Sequence, residues 1–268
     1  MTATGARDEP DRIRVTTLNL LYYPQADRWH ERSPLVEDEL RALAPDVIAF
    51  QEVNRSIDQD HALAKSAGSE LGYQVWRASE TIRPRYPRHW DGVVLLVRRA
   101  AGRVLFHEVR RLTHMRVVQA LGVRRSTGAT VTIANTHLHH PDGPAGQRVR
   151  LRQATAILRF IQDLPRTDVV ILVGDLNAVP DEPALDLLFA DGFRSATREA
   201  GLGDPTTFPS GLVAPTIYRG PGACIDYVLV LGPVVVDDAS LAFDRPAHSD
   251  PGLYPSDHRG IVADLALP

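Results

Sequence analysis

Val169-Val170-Ile171-Leu172-Val173-Gly174-Asp175-Leu176-Asn177 decides how this chain is read. Its apolar opening is too short for an ordinary helix, and its β-branched composition matches a strand buried on both faces. Asp175 and Asn177 stand at the end of that strand, where a rigid sheet holds polar groups against a ligand. If the segment stays extended they flank Leu176 and share a face. The competing reading is a turn in which the Asp and Asn side chains bond nearby backbone.

Working outward, Leu151, Ala154, Leu158 and Ile161 form a helical stripe that ends near Pro165, after a loop containing Pro141, Gly143 and Pro144. A short helix is expected from Glu182 to Leu188. Toward the N-terminus, Ile13 to Leu20 reads as a strand with Asn19 near its end. Ser33-Pro34 then opens a helix with Val36, Leu40 and Leu43 on one face, stopped by Pro45. Asp46 to Gln51 is a short strand that delivers Glu52. If these two strands are parallel, Asn19 and Glu52 share one edge of the sheet.

A helix over Asp58 to Leu71 precedes a strand around Tyr73 to Trp76. Arg83-Pro84-Arg85-Tyr86-Pro87-Arg88-His89-Trp90 reads as an exposed basic and aromatic loop, either solvated surface or a contact for a phosphate or head group. Gly92 to Arg98, Arg103 to Val109, Arg116 to Arg124 and Ala129 to Thr136 follow as strands, so the sheets are expected to be mixed. Gly201 to Gly222 is too long for an ordinary connector and reads as a binding loop or mobile segment. Ile225 to Leu231 and Val234 to Val236 suggest a hairpin around Gly232-Pro233. The loop Asp244 to Pro255 then leads to Ser256-Asp257-His258, a second polar cluster that precedes an apolar run from Ile261.

With 268 residues, 44% hydrophobic and 24% charged, the chain fits one large core better than two small ones. Residues 1–12 read as a flexible tail and 13–268 as a single domain. A formal net charge of -3 gives no global drive toward a polyanion, which disfavours a non-specific nucleic-acid binder. Lys65 is the only lysine, and the arginine excess reads as genomic composition. Cys224 is the only cysteine, so no intrachain disulfide forms. The N-terminal residues carry no apolar signal segment, and no apolar stretch approaches the ~20 residues that cross a bilayer. A cytoplasmic protein of unknown oligomeric state is expected.

The polar motifs are, in order, Thr17-Leu18-Asn19, Gln51-Glu52, Asn135-Thr136-His137-Leu138, Gly174-Asp175-Leu176-Asn177, Ile225-Asp226-Tyr227 and Ser256-Asp257-His258. In this order and spacing the chain resembles the endonuclease/exonuclease/phosphatase superfamily, similar in fold to pancreatic deoxyribonuclease, over Ile13 to Leu265. That resemblance implies an α/β fold, a four-layer α/β/β/α sandwich with two mixed β-sheets, and divalent-metal-dependent cleavage of a phosphoester by in-line attack of water. Such a reaction at an anionic phosphorus needs charge neutralisation, an oriented water and help for the leaving oxygen. Oxygen ligands suit Mg²⁺ or Mn²⁺ rather than structural zinc.

On this reading Glu52 is the first metal ligand, Asn19 assists through its amide oxygen, and Asp257 adds a carboxylate to the metal region. Asn19 has the alternative of capping the following loop, and Glu52 that of an exposed strand-end glutamate. Asp175 orients or deprotonates the water, and Asn177 holds a phosphate oxygen or that water. Asp226 and His258 form a pair assigned jointly, as coupled groups are. His137 donates to a phosphate oxygen or the leaving group. His137 and His139 face alike and raise zinc as a lesser alternative. Repair-type nucleases of this fold carry an aspartate two residues after the matching asparagine, and Leu21 stands there instead, which weakens the case for a second acidic ligand on the first strand. The expected activity is therefore a phosphodiesterase acting on a small or lipid-derived phosphoester. A DNA endonuclease or exonuclease is the alternative enzyme, and a catalytically silent scaffold the alternative of another class.

Overall fold

The computed structural model describes residues 11–21, 28–54, 59, 62–63, 72–80, 92–214 and 220–268. The expected loop Arg83 to Trp90 and most of the expected helix Asp58 to Leu71 lie outside the described residues; Gln59, Ala62 and Leu63 are helical.

Among the described residues, twelve strands are arranged in two six-stranded sheets. The first sheet contains β1 (Arg12–Asn19), β2 (Val47–Gln51), β3 (Tyr73–Ser79), β4 (Gly92–Arg98), β11 (Val235–Ala242) and β12 (Gly260–Ala266), in the order β11-β12-β1-β2-β4-β3. The second contains β5 (Arg103–Arg111), β6 (Val117–Arg124), β7 (Thr130–His137), β8 (Val169–Asp175), β9 (Arg194–Ser195) and β10 (Asp226–Leu231), in the order β5-β6-β7-β8-β10-β9. The α-helices with both ends among the described residues are α1 (Trp29–Leu43), α2 (Gly143–Asp163), α3 (Pro183–Ala190) and the short α4 (Ala196–Glu199).

Period-two alternation explains the layering. Val169, Ile171 and Val173 of β8 meet Val15, Val47 and Ala49 of the facing sheet in the central core, while Leu172 packs with Ala154, Ile157 and Leu185 of the outer helices. On the other side Leu18, Ile48 and Phe50 bury against Trp29, Val36 and Leu40 of α1. Helix, sheet, sheet and helices thus form the four layers expected. In each sheet one pair is parallel: β1 with β2, where Asn19 aligns with Gln51, and β7 with β8, where His137 aligns with Asp175. Both pairs therefore end on the same rim as polar residues.

Several expected boundaries shift for physical reasons. Helix α1 starts at Trp29, ahead of Ser33-Pro34, with Pro34 inside it. Burial of Trp29 and Arg32 holds the extra turn, and Arg32 donates to the carbonyls of Leu20 and Pro255 at 3.2 and 2.7 Å. A hairpin around Gly232-Pro233 does not form. Both edges of β10 are already taken by β8 and β9, so the chain crosses to the other sheet and β11 pairs with β12. Arg12 opens β1, and Asp11 beside it is held by Arg125 at 2.9 Å and Thr127 at 2.7 Å, so the tail boundary at residue 12 falls too late.

Candidate active site

Gly174 lets the two parallel strands close at the rim. Its φ is +133°, and a Cβ there would lie 2.0 Å from the Thr136 carbonyl. Immediately beyond it, Asp175 is 1% exposed. Its Oδ1 accepts from the Asn177 backbone N–H at 2.9 Å, and its Oδ2 accepts from Asn19 Nδ2 at 3.0 Å. The same Oδ2 lies 3.4 Å from His137 Nε2 and 3.9 Å from His258 Nε2.

The bond from Asn177 N–H to Asp175 is an Asx turn, and it corrects the expectation that Asp175 and Asn177 share a face. Asn177 takes a left-handed backbone, φ 48°, and its amide donates to the Leu138 carbonyl at 3.2 Å. Asp175 therefore turns one oxygen to the backbone and the other to the rim. Asn177 ties the loop after β7 to the loop after β8.

Asn19 is also oriented differently from the expectation. The Leu21 N–H can only donate, and it binds Asn19 Oδ1 at 3.0 Å, which fixes the amide oxygen away from the carboxylates. The Asn19 NH₂ instead faces Glu52 Oε1 at 3.3 Å and Asp175 Oδ2. Glu52 leaves β2 in a left-handed conformation, φ 52°.

His258 Nδ1 lies 2.9 Å from Asp226 Oδ2, and the His258 ring packs on Phe208 with centroids 4.7 Å apart. Burial alone would lower the imidazole pKa, but the charge and hydrogen bond of Asp226, with Asp257 and Asp175 nearby, hold it well above its ordinary range. The Asp226 backbone N–H and that of Ile225 both donate to Thr207 Oγ1, at 3.1 and 3.0 Å. Burial, then the charge of Asp226, pushes the Asp175 carboxyl up; His258 and Asn19 pull it back only in part.

His137 is held the other way. Burial first, then Arg116 and His258, keep it well below its ordinary range, and thus neutral. The Arg116 guanidinium lies across the ring, with its terminal nitrogens 3.0 Å from Nδ1 and 3.2 Å from Nε2, and pairs with Glu80 at 2.7 Å. Sequence reading missed Arg116 and Glu80: one arginine among many, at the head of a strand, carries no local signal. It also passed over the role of Gln51 and Asn135. Gln51 Nε2 donates to Asn135 Oδ1 across the two sheets at 2.8 Å, and Asn135 Nδ2 reaches the carbonyls of Phe50 and Val94, both at 3.0 Å.

Among the described residues, one group of three offers possible metal-ligand atoms within 4.8 Å of one another: Asp175, Asp226 and His258. His258 has its Nδ1 on Asp226, and the surrounding carboxylates favour its charged form, so the trio makes a set of paired charges. Glu52 and Asp257 suit a hard cation better. Burial and then the charge of Glu52 raise Asp257, with His258 and Arg32 opposing. Two carboxylates that repel each other across an oxygen-lined rim are the donor set a dication relieves. His139 packs at a tilt on His114 with centroids 4.5 Å apart, and among the described residues no group of possible metal-ligand atoms contains His137 and His139.

The rim thus gathers Asn19, Glu52, His137, Asp175, Asp226, Asp257 and His258, with Asn177 joined through the backbone. A cleft of about 670 Å³ lined by Trp76, Phe106 and His107 lies elsewhere, along the open edge between β3 and β5.

Known proteins resemble this chain to different extents. The model of the Endonuclease/Exonuclease/phosphatase family matches residues 16–258. Nocturnin of Rattus norvegicus is 26% identical over 270 residues, covering 91% of this chain and 60% of its own length. The Probable RNA exonuclease NGL3 of Saccharomyces cerevisiae is 24% identical over 202 residues, covering 64% of this chain and 38% of its own. The chain spans between 26% and 66% of the length of the curated relatives it matches. The human Nocturnin catalytic domain with bound sulfate anion superposes with a TM-score of 0.76 at 25% identity, covering 96% of this chain and 95% of that one. D. rerio TDP2 complexed with single strand DNA product shares the fold, with a TM-score of 0.77 at 18% identity over 95% and 98% of the two chains.

Proposed function

The chain belongs to the endonuclease/exonuclease/phosphatase family, and from that premise we propose that it is a phosphodiester hydrolase that works with Mg²⁺ or Mn²⁺ and water on a small or lipid-derived phosphoester. The observation that carries this reading is the meeting of Asp175, the Asp226–His258 pair and the Glu52 and Asp257 carboxylates on one recessed rim.

Glu52 and Asp257 would hold the cation, which supplies charge neutralisation for the phosphate and its leaving oxygen. Asp175 Oδ2, steadied by Asn19, accepts a proton from the attacking water and aims it along the line of the bond to be broken. His258 donates through Nε2 to a non-bridging oxygen, with Asp226 holding its ring orientation and its charged form. Neutral His137, backed by Arg116, lies 3.4 Å from Asp175 Oδ2, where it can donate to another phosphate oxygen or to the leaving group. Asn177 holds the Asp175 loop rather than substrate. The scaffold alternative is disfavoured, because a silent protein has no need to bury these charges together.

Turnover of bis-p-nitrophenyl phosphate, p-nitrophenyl phosphate, phospholipid, and single-stranded DNA and RNA with Mg²⁺, Mn²⁺ or chelator tests the proposal. Diester cleavage that stops with chelator is expected; full turnover after complete removal of metal overturns it. A nuclease acting on strand ends is the second reading, favoured by the RNA exonuclease and single strand DNA relatives. For a strand-binding enzyme kcat/KM falls steeply, by ~10-fold or more, between 50 and 200 mM salt. For a small ester it stays nearly flat.

A further inference from the structure

Two buried side chains on α2, one turn apart, bond to backbone and side-chain atoms of other segments rather than to their own helix. Arg150 Nη1 donates to the carbonyls of His139 and Pro141 at 2.8 and 2.9 Å, while Nε and Nη2 grip Glu182 at 2.6 and 3.1 Å. Gln153 Oε1 accepts from the His139 N–H at 2.9 Å, and its Nε2 donates to the Thr113 carbonyl at 2.8 Å. Arg150 is 2% exposed, Gln153 1% and Glu182 4%.

The three segments held in this way carry the catalytic rim. His139 lies two residues after His137, and Glu182 ends the segment that leaves Asp175. Thr113 opens the turn that delivers Arg116 onto His137, and that turn carries His114 and Met115 at φ 60° and 61°. Two successive non-glycine residues in that region are strained and persist only where their surroundings hold them. Gly146 allows the grip, because a Cβ there would sit 1.7 Å from the Pro141 carbonyl that Arg150 binds.

An ion pair this deeply buried adds little stability, since an apolar pair of the same volume often does as well or better. Its geometry nevertheless satisfies four donor contacts on separate segments. We infer that Arg150 and Gln153 are positioning residues that set His137 and Arg116 against Asp175, an inference that rests on the phosphodiesterase reading of this rim. Neither touches the reacting atoms. They act through the His139 backbone, the Thr113 turn and Glu182.

The test uses the full chain with Gln153→Met, Arg150→Lys, Arg150→Met and the double variant Arg150→Met/Glu182→Leu. Bis-p-nitrophenyl phosphate kinetics are read beside thermal unfolding and amide exchange at His139. Misplacement of the rim by a fraction of an ångström lowers kcat of Gln153→Met and of the double variant ~10-fold or more, with KM within about threefold. His139 exchange in Gln153→Met speeds up, the double variant loses less melting temperature than Arg150→Met alone, and Arg150→Lys recovers more kcat than Arg150→Met. Wild-type kcat in both Gln153→Met and the double variant overturns the inference. If the wild-type chain turns over no ester, the phosphodiesterase reading fails separately, and the His139 amide and His137 ring resonances still decide: unchanged values in Gln153→Met overturn the positioning role.

Discussion

Asp226 gives one carboxylate oxygen to His258 at 2.9 Å, while its Oδ1 is buried with no hydrogen-bond partner among the described residues. Leaving a buried acceptor unmade costs roughly 1–3 kcal/mol, so the carboxylate is held at the expense of stability, as expected where charge must persist beside an imidazole. Asp226→Asn would offer an NH₂ where an acceptor is needed and remove the charge that favours the protonated His258; kcat is expected to fall ~10²-fold or more with little change in fold. Asp175→Asn is expected to fall at least as far, ~10² or more, because it removes the acceptor for the water proton. Steady-state kinetics check both, and wild-type rates in either would remove that residue from the mechanism. Cys224 gives a contrasting case: burial pushes its thiol up to about 12, so a thiol reagent at pH 8 should meet almost no thiolate until the protein is unfolded in denaturant. Rapid labelling of the native chain would contradict that burial. The titratable and amide residues were legible as strand-end motifs, but their orientation was not. Asn19 depends on which amide atom Leu21 claims, and Asn177 on a left-handed turn, and neither is set by residue type alone.

Gln51 and Asn135 are the amide bridge between the sheets, one beside Glu52 and the other two residues before His137. Gln51→Leu strands Asn135 Oδ1 inside the core, and Asn135→Leu strands the carbonyls of Phe50 and Val94; each should cost about 2–3 kcal/mol in urea unfolding. The double variant should cost less than the sum, with a coupling of about 1 kcal/mol or more, because the single changes leave partners unpaired that the double removes together. Strict additivity would mean the bridge is not a unit. At this scale the sequence was informative where period and punctuation agree, as in β8 and in α2 with Leu151, Ala154 and Leu158. It misled at Gly232-Pro233, where a local hairpin signal meets a β10 strand whose two edges are already occupied. Likewise Ser33-Pro34 looks like a helix start, but the burial of Trp29 and Arg32 lies one turn ahead of it.

At the scale of the whole molecule the layering was legible only through the family resemblance that the six ordered motifs carry, whereas the order of strands in each sheet was not, because no local pattern states which edge a strand will meet. A divalent cation held by Glu52 and Asp257 stabilises only the folded chain, by RT ln(1 + [L]/Kd), about 2.7 kcal/mol at a hundredfold excess over Kd. Mn²⁺ is therefore expected to raise the melting temperature by several degrees in the wild type and not in Glu52→Gln/Asp257→Asn, measured by calorimetry. An unmoved wild-type transition would remove the metal from that position. The one parallel pair in each sheet leaves half the rim, Asn19 and Glu52, on one slab and the other half, His137 and Asp175, on the other. The reacting geometry is thus a gap between two plates, and heating that loosens their contact widens it before either plate melts, so activity should decay at a lower temperature than the cooperative loss of β-structure.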